Sequence, residues 1–402
     1  MDVHITRQPI FDIHKNLFAY ELLCRQLPGV QPGDLSGDQV ATSLLTTTFL
    51  TGDIEKIAGA KPCFIQCTAN LLVKELTATF PKNKIIVEIL ADAPPSAEVL
   101  AACRTLSQQG FILALGDFVF AKELLPLIEL VNIIKIDCQR TTANEISRTM
   151  HRLARCNLKY LAEKVESYEE LEHARKQGFN YFQGSFFACP ESLRITEVAS
   201  NKALLLNLLA EVNKRETSID RLEQIIATDD VAIAYKLLRY INSACFYLLK
   251  QVESIRQAIV YLGEREIRRF VILVVISELA ADKPAELVRL SVIRARFCEL
   301  LAKESPDQAD ASELFLLGLF SLIDALLDTP MARAMEKMPL AAEVKDALTR
   351  HQGPLVPFLD AVIAYEQGRT EDCLRALGKL RISAQKVYNL YLEAIKFSFL
   401  LD

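Results

Sequence analysis

No apolar run in the 402-residue chain approaches the roughly 18–20 residues that cross a bilayer, so membrane insertion is not expected. No basic stretch followed by an apolar segment opens it; Met1-Asp2-Val3-His4-Ile5-Thr6-Arg7 already alternates like a strand, and a cytoplasmic location is the expectation. Positive charge is not in excess either. Fifty-one carboxylates face 46 Lys plus Arg, a formal net charge of −5, which leaves no footprint for duplex nucleic acid. The ten cysteines, at 24, 63, 67, 103, 138, 156, 189, 245, 298 and 373, form no Cys-x-x-Cys pair. Most sit in apolar runs and read as reduced, buried thiols without a metal or disulfide role. There is no repeat of 20 to 50 residues and no low-complexity tract. Histidine is nearly missing from the second half, where His351 stands alone.

What is present divides in two. A chain this long exceeds the ~250–300 residues that one core usually serves, so two domains are expected, 1–195 and 196–402. Up to about residue 190, short β-rich runs alternate with longer amphipathic segments, as strands joined by crossover helices do. Eight strands are predicted, at 3–10, 17–23, 63–66, 85–89, 112–115, 133–136, 160–162 and 181–183. A turn at 12–16 joins the first two into a hairpin. Eight strands with helices between them point to a (β/α)₈ barrel of the TIM type, but an opening hairpin requires one strand to run against the rest. After Pro190 nearly every apolar residue follows helical spacing, which predicts an all-helical second domain. A linking helix is expected at 196–209, with capping residues at 217–220 for the next helix.

Polar residues gather where the predicted strands end: Glu21, Gln66, Glu88, Asp117, Lys135 with Asp137, Glu163 with Glu166, and Gln183. A barrel holds such positions in convergent geometry at one rim, where several carboxylates, an amide and a lysine suit two-metal phosphodiester chemistry.

The same residues, in order and context, resemble a known family. Tyr20-Glu21-Leu22-Leu23-x-Arg25, Val87-Glu88-Ile89, Asp117-Phe118, Lys135-Ile136-Asp137, Ala162-Glu163-Lys164-Val165-Glu166 and Gln183-Gly184 look like the successive motifs of the EAL domain, the cyclic di-GMP phosphodiesterase fold. Gln8-Pro9-Ile10 and Phe187 to Pro190 resemble its opening and closing signatures. The resemblance implies that Glu21, Glu88 and Asp117 are metal ligands, that Lys135 stands near the scissile phosphate, and that Glu163 orients or deprotonates water. Arg25 would meet a substrate phosphate, with Gln8, Glu166 and Gln183 lining the nucleotide site.

The chain departs from that pattern at four places. Active relatives carry Asn where Gln66 stands, a second Glu where Ala91 stands, an Asp at the place of Gly116, and Phe-Gly-x-Gly where Phe118-Val119-Phe120 runs on. A lengthened amide misplaces a donor and a glycine supplies none, while losses in the outer shell alone cost about 10–100-fold in metal affinity or activity. The site is therefore expected to be vestigial: no catalytic residue in service, Lys135 and Glu163 as remnants, metal ligands lost at Gln66 and Gly116, and no cofactor. Mg²⁺ or Mn²⁺ enters only under the alternative of a residual phosphodiesterase, in which water or Asp92 replaces the missing ligand.

In the second half, Ile225-Ile226-Ala-Thr-Asp229-Asp230, Lys236-Leu-Leu-Arg239-Tyr-Ile-Asn242-Ser243-Ala244 and Ser254-Ile255-x-x-Ala258-Ile259-x-x-Leu262-Gly263 resemble the HDOD domain, a helical relative of HD phosphohydrolases. The HD enzymes need paired His and Asp. Here the stretch Gly318-Leu-Phe-Ser321-Leu322-Ile-Asp324 offers none, so Asp324 reads as a helix-surface residue. Asn242 and Ser243 read as helix-end hydrogen-bonding residues, Arg265-Glu-Ile-Arg268-Arg269 as a mixed-charge helix surface, and Phe246, Tyr247, Phe315, Phe320 and Phe358 as core. The combined expectation is a bacterial signalling adaptor without enzymatic activity that acts through protein–protein contact. Histidine kinases or other regulators would be its partners, and homodimer formation stays open. A non-hydrolysing cyclic di-GMP receptor is the other alternative.

Overall fold

The computed structural model describes residues 3–26, 54–74, 77, 80–90, 95–191, 209, 241, 252, 255–306, 309–336, 338 and 340–399. Ala91, Asp92, the capping residues 217–220, Asn242, Ser243, Phe246 and Tyr247 lie outside them. So do the HDOD-like runs 225–230 and 236–244 except Ile241, and the linking helix 196–209 except Leu209.

Eight strands close into a barrel in chain order: β1 Val3–Asp12, β2 Leu17–Gln26, β3 Cys63–Cys67, β4 Ile85–Leu90, β5 Ile112–Gly116, β6 Ile133–Asp137, β7 Lys159–Glu163 and β8 Tyr181–Gln183. All parallel pairings fall between β2 and β8, while β1 runs antiparallel to both of its neighbours. The expected modified (β/α)₈ barrel is present. The hairpin turn is made by Asp12, whose Oδ1 accepts from His14 N at 2.8 Å and Asn16 N at 2.9 Å, with Lys15 at φ 62°.

The crossover helices begin where short polar side chains satisfy free backbone N–H groups. Ser96 caps Ala97–Gln108, Thr142 and Glu145 form a capping box on Ala143–Arg152, and Ser167 caps Tyr168–Gln177, which stops at Gly178 with φ 100°. Inside the barrel, Ile10, Ala19, Phe64, Ile86, Ala114, Ile133 and Leu161 form one buried cluster, against which Tyr181 packs. Side chains repeat every second residue along a strand, so the next inward position lies two residues on, or two back on antiparallel β1. Those positions are Gln8, Glu21, Gln66, Glu88, Gly116, Lys135, Glu163 and Gln183. The polar rim is thus one layer of the barrel, one residue from each strand.

After residue 255 every described element of eight residues or more is a helix. Ile255–Leu279 is interrupted at Gly263, at φ 77° and ψ 161°. Ala311–Phe320 packs on Ala285–Glu304 at backbone distance, since a Cβ on Gly318 would stand 2.3 Å from the Arg294 carbonyl oxygen. Phe315, Phe320 and Phe358 are buried, as expected.

Two compact units emerge. One contains Met1–Cys189 with Asp360–Leu392, the other Pro190–Leu359 with Glu393–Asp402. Helical spacing had assigned 360–392 to the second domain; within the first unit, Tyr365 Oη instead donates to the Ile5 carbonyl of β1 at 3.4 Å. Periodicity records that a helix has an apolar face, not which body that face meets. Among the described residues no helix is long and apolar enough to cross a membrane. The eight described cysteines are free, and burial pushes the Cys63, Cys67 and Cys373 thiols up to about 12.

Candidate functional site at the barrel rim

Lys135 occupies the middle of the polar layer with no exposure to solvent. Its Nζ lies 2.9 Å from Glu21 Oε1, 2.8 Å from Glu88 Oε2 and 3.0 Å from Glu163 Oε1. Gln183 Nε2 donates to Gln8 Oε1 at 3.0 Å and also to Glu21 Oε2, so five of the strand-end residues singled out in sequence, with Gln8, form one connected network. Burial opposes the charge on Lys135, but the three carboxylates outweigh it and hold its pKa well above the ordinary value. The carboxylates divide. Burial would raise Glu21, yet Lys135 and the Gln183 hydrogen bond bring it below the usual range. Glu88 is pushed up to about 8 by burial, with Glu21 and Glu163 adding to the rise and Lys135 opposing it. Glu163 is raised for the same reason, and the Asp117 charge contributes. One ammonium does not neutralise three buried carboxylates, so the surplus appears as raised pKa values at Glu88 and Glu163.

Gly116 belongs to this layer and contributes nothing to it. The point where its Cβ would stand is 2.3 Å from Glu88 Oε1 and 3.1 Å from Glu88 Cδ, so the Glu88 side chain fills the space. Asp117 follows at φ 49° on the loop and is exposed, as is Gln66. Arg25 is on β2, but its side chain lies outside the described residues. Glu166 is not in the cluster: it is exposed on the loop after β7 and accepts from Gln139 Nε2 at 2.7 Å.

The loops around the rim are shaped by Asp137, a role that sequence reading missed. Its Oδ1 accepts from Gln139 N and Arg140 N at 2.9 and 3.1 Å, and its Oδ2 meets Lys164 Nζ at 2.7 Å. Burial alone would raise its pKa, but these donors hold it below the ordinary value. The turn-forming pattern of Asp followed by two backbone N–H groups was the available signal. Gly184 is required by close approach, because a Cβ there would fall 1.9 Å from the Val165 carbonyl oxygen.

The resemblance to the EAL domain implies a pair of divalent cations at this rim, and the donor set does not fit a pair. The Gly116 position has no donor, Glu88 is folded into its place, and the remaining inward carboxylates converge on an ammonium. Among the described residues, no group of three or more His, Cys, Asp or Glu is arranged to hold a metal ion.

In the helical unit, Asp324 is half-buried, a correction to its expected place on a helix surface. Burial raises its pKa, opposed by the backbone N–H of Ala325 and by Arg294. His351 is instead the left-handed residue that ends Ala342–Arg350. In the basic run 265–269, Arg268 pairs with Glu264, and Arg269 with Glu266 and Glu299.

Comparison with known proteins gives a family for each half. The model described as the EAL domain matches residues 63–190 and that of the HDOD domain matches residues 199–352. Cyclic di-GMP phosphodiesterase CdgJ of Vibrio cholerae is 36% identical over 403 residues, spanning 98% of this chain and 92% of that protein. Uncharacterized protein YuxH of Bacillus subtilis is 34% identical over 406 residues, spanning 99% of this chain and 98% of that protein. A Klebsiella pneumoniae BlrP1 calcium/cyclic di-GMP complex covers 46% of this chain and 54% of its own at 18% identity and a TM-score of 0.38.

Proposed function

Because the chain belongs to the family that joins an EAL domain to an HDOD domain, we propose that it is a cyclic di-GMP signalling protein that acts by protein–protein contact and does not hydrolyse the dinucleotide. Gly116 carries this reading. Phosphodiester hydrolysis of this type needs two cations roughly 4 Å apart to clamp the attacking and leaving oxygens. With Gly116 empty and Glu88 turned onto Lys135, the rim supplies one buried positive charge already shared among three carboxylates. Capture of cyclic di-GMP without turnover is disfavoured on the same ground, because its phosphates would face carboxylates with no divalent cation between them. The helical unit is read as a further contact surface without a metal, since an HD-type site needs several histidines and His351 is the single histidine of the second half. Signalling proteins such as histidine kinases are the proposed partners.

One observation favours a second reading, a residual metal-dependent phosphodiesterase. The Vibrio cholerae relative, 36% identical across nearly the whole chain, is named as that enzyme, and Glu21, Glu88, Asp117, Lys135 and Glu163 are all present. Incubating the full chain with cyclic di-GMP and Mg²⁺ or Mn²⁺, and following linear product by chromatography, separates the two. No turnover above the protein-free control is expected; turnover abolished by Glu21→Gln would establish the second reading.

A further inference from the structure

We propose that Lys135 is a built-in cation which excludes divalent ions from the rim, and that Gly116 makes this arrangement sterically possible. The inference rests on the reading of the rim as non-hydrolytic and goes a step beyond it, from a missing ligand to a replaced ion. Glu21, Glu88 and Glu163 each place an oxygen within 3.0 Å of one ammonium, so the carboxylates converge as they would on a metal, but on a covalently attached charge. Glu88 reaches that position through the volume a side chain at 116 would fill: a Cβ there would lie 2.3, 3.1 and 3.3 Å from Glu88 Oε1, Cδ and Cγ. Gln183 braces Glu21 from the other side, and Phe64 closes the layer below, its ring 5.6 Å from Lys135 Nζ. An incoming divalent ion must therefore detach Glu88 or Glu163 from the ammonium and stand beside it, which costs both the ion pair and like-charge repulsion.

The test uses the full chain, Mn²⁺ as the probe, and two readouts that do not depend on catalysis: the free Mn²⁺ signal in electron paramagnetic resonance, and the melting temperature. Wild type is expected to show no saturable Mn²⁺ binding and an unchanged Tm in millimolar Mn²⁺. Lys135→Met removes the internal cation, so its Tm should fall and then recover by about 5–10 °C when Mn²⁺ is some hundredfold above its Kd. Should that variant fail to fold, Gly116→Ala carries the test: its methyl displaces Glu88, and the inference requires a lower Tm that Mn²⁺ partly restores. Saturable Mn²⁺ binding by wild type, lost in Glu88→Gln, would overturn the inference, as would a Gly116→Ala melt identical to wild type. Mn²⁺ binding without turnover would sink this inference alone, whereas hydrolysis would sink the proposed function.

Discussion

The two halves of the molecule each bury a one-to-three charge cluster, with opposite signs. At the barrel rim one lysine meets Glu21, Glu88 and Glu163. In the helical unit one carboxylate, Glu299, meets Arg269 Nη2 at 2.8 Å, Arg296 Nη1 at 2.7 Å and Lys303 Nζ at 3.1 Å. The consequences differ because the majority partners differ in reach. Arg and Lys can bury their stems while their heads reach water, and the Lys303 side chain is half exposed. Glu299 is held down to about 2: burial would raise it, but Arg269 and Arg296 prevail. Three inward carboxylates on short strands cannot retreat in the same way, and Glu88 sits near 8 instead. A surplus of long cations makes a stabilising clasp; a surplus of short anions stores repulsion. Such repulsion is expected where a fold keeps residues for chemistry rather than for stability.

Breaking the helical cluster is the harshest test of this contrast. Glu299→Ala leaves Arg269 buried without its best partner and is expected to cost about 3–5 kcal/mol in denaturant unfolding, the usual range for removing one side of a buried pair. If the cost were below about 1 kcal/mol, typical of exposed pairs, the cluster would be no clasp.

The two tight glycines sharpen the comparison further. At Gly318 an added methyl meets the Arg294 backbone, which cannot yield, so Gly318→Ala should lose about 1–3 kcal/mol through overpacking. At Gly116 it meets the far end of Glu88, so the loss there should be smaller. Equal losses in chemical denaturation would mean that Glu88 is pinned as firmly as backbone.

The smallest expected effects are the pH limbs, which run in opposite directions. The Glu299 pKa is lowered on folding, so its stabilisation is present above the ordinary value near 4.5 and is lost as pH falls toward about 2. The Glu88 pKa is raised, so its contribution is greatest below about 4.5 and is lost as pH rises through about 8. Melting temperatures across pH should show the acid limb flattened in Glu299→Gln and the alkaline limb flattened in Glu88→Gln; the reverse assignment would refute the contrast.

Much of the barrel was legible in sequence because a strand writes its faces in period two. The eight strands, the reversed first strand and the row of polar residues at their ends all follow from that alternation. The absence of a side chain at Gly116 was legible, but the filling of that space by Glu88 was not: β4 and β5 neighbours share a register that no local pattern states. Asp117, aligned with a ligand motif, is exposed directly after β5 at φ 49°, and its charge still reaches Glu163 at the rim, a proximity that no local pattern states. Arg296 and Lys303 stand three and four residues from Glu299 on one helix, a spacing visible in sequence, whereas Arg269 comes from another helix and was read only as part of a charged run.

By itself the sequence determined which residues face inward, because side-chain direction is set by the local backbone period. It also determined that position 116 offers no side-chain donor, because glycine has no side chain. Only the tertiary structure decided that Lys135 stands at the centre, that Glu88 takes the vacated space, and that segment 360–392 groups with the barrel. These outcomes depend on distances between residues far apart in the chain, and charge and volume are settled there, not in the pattern.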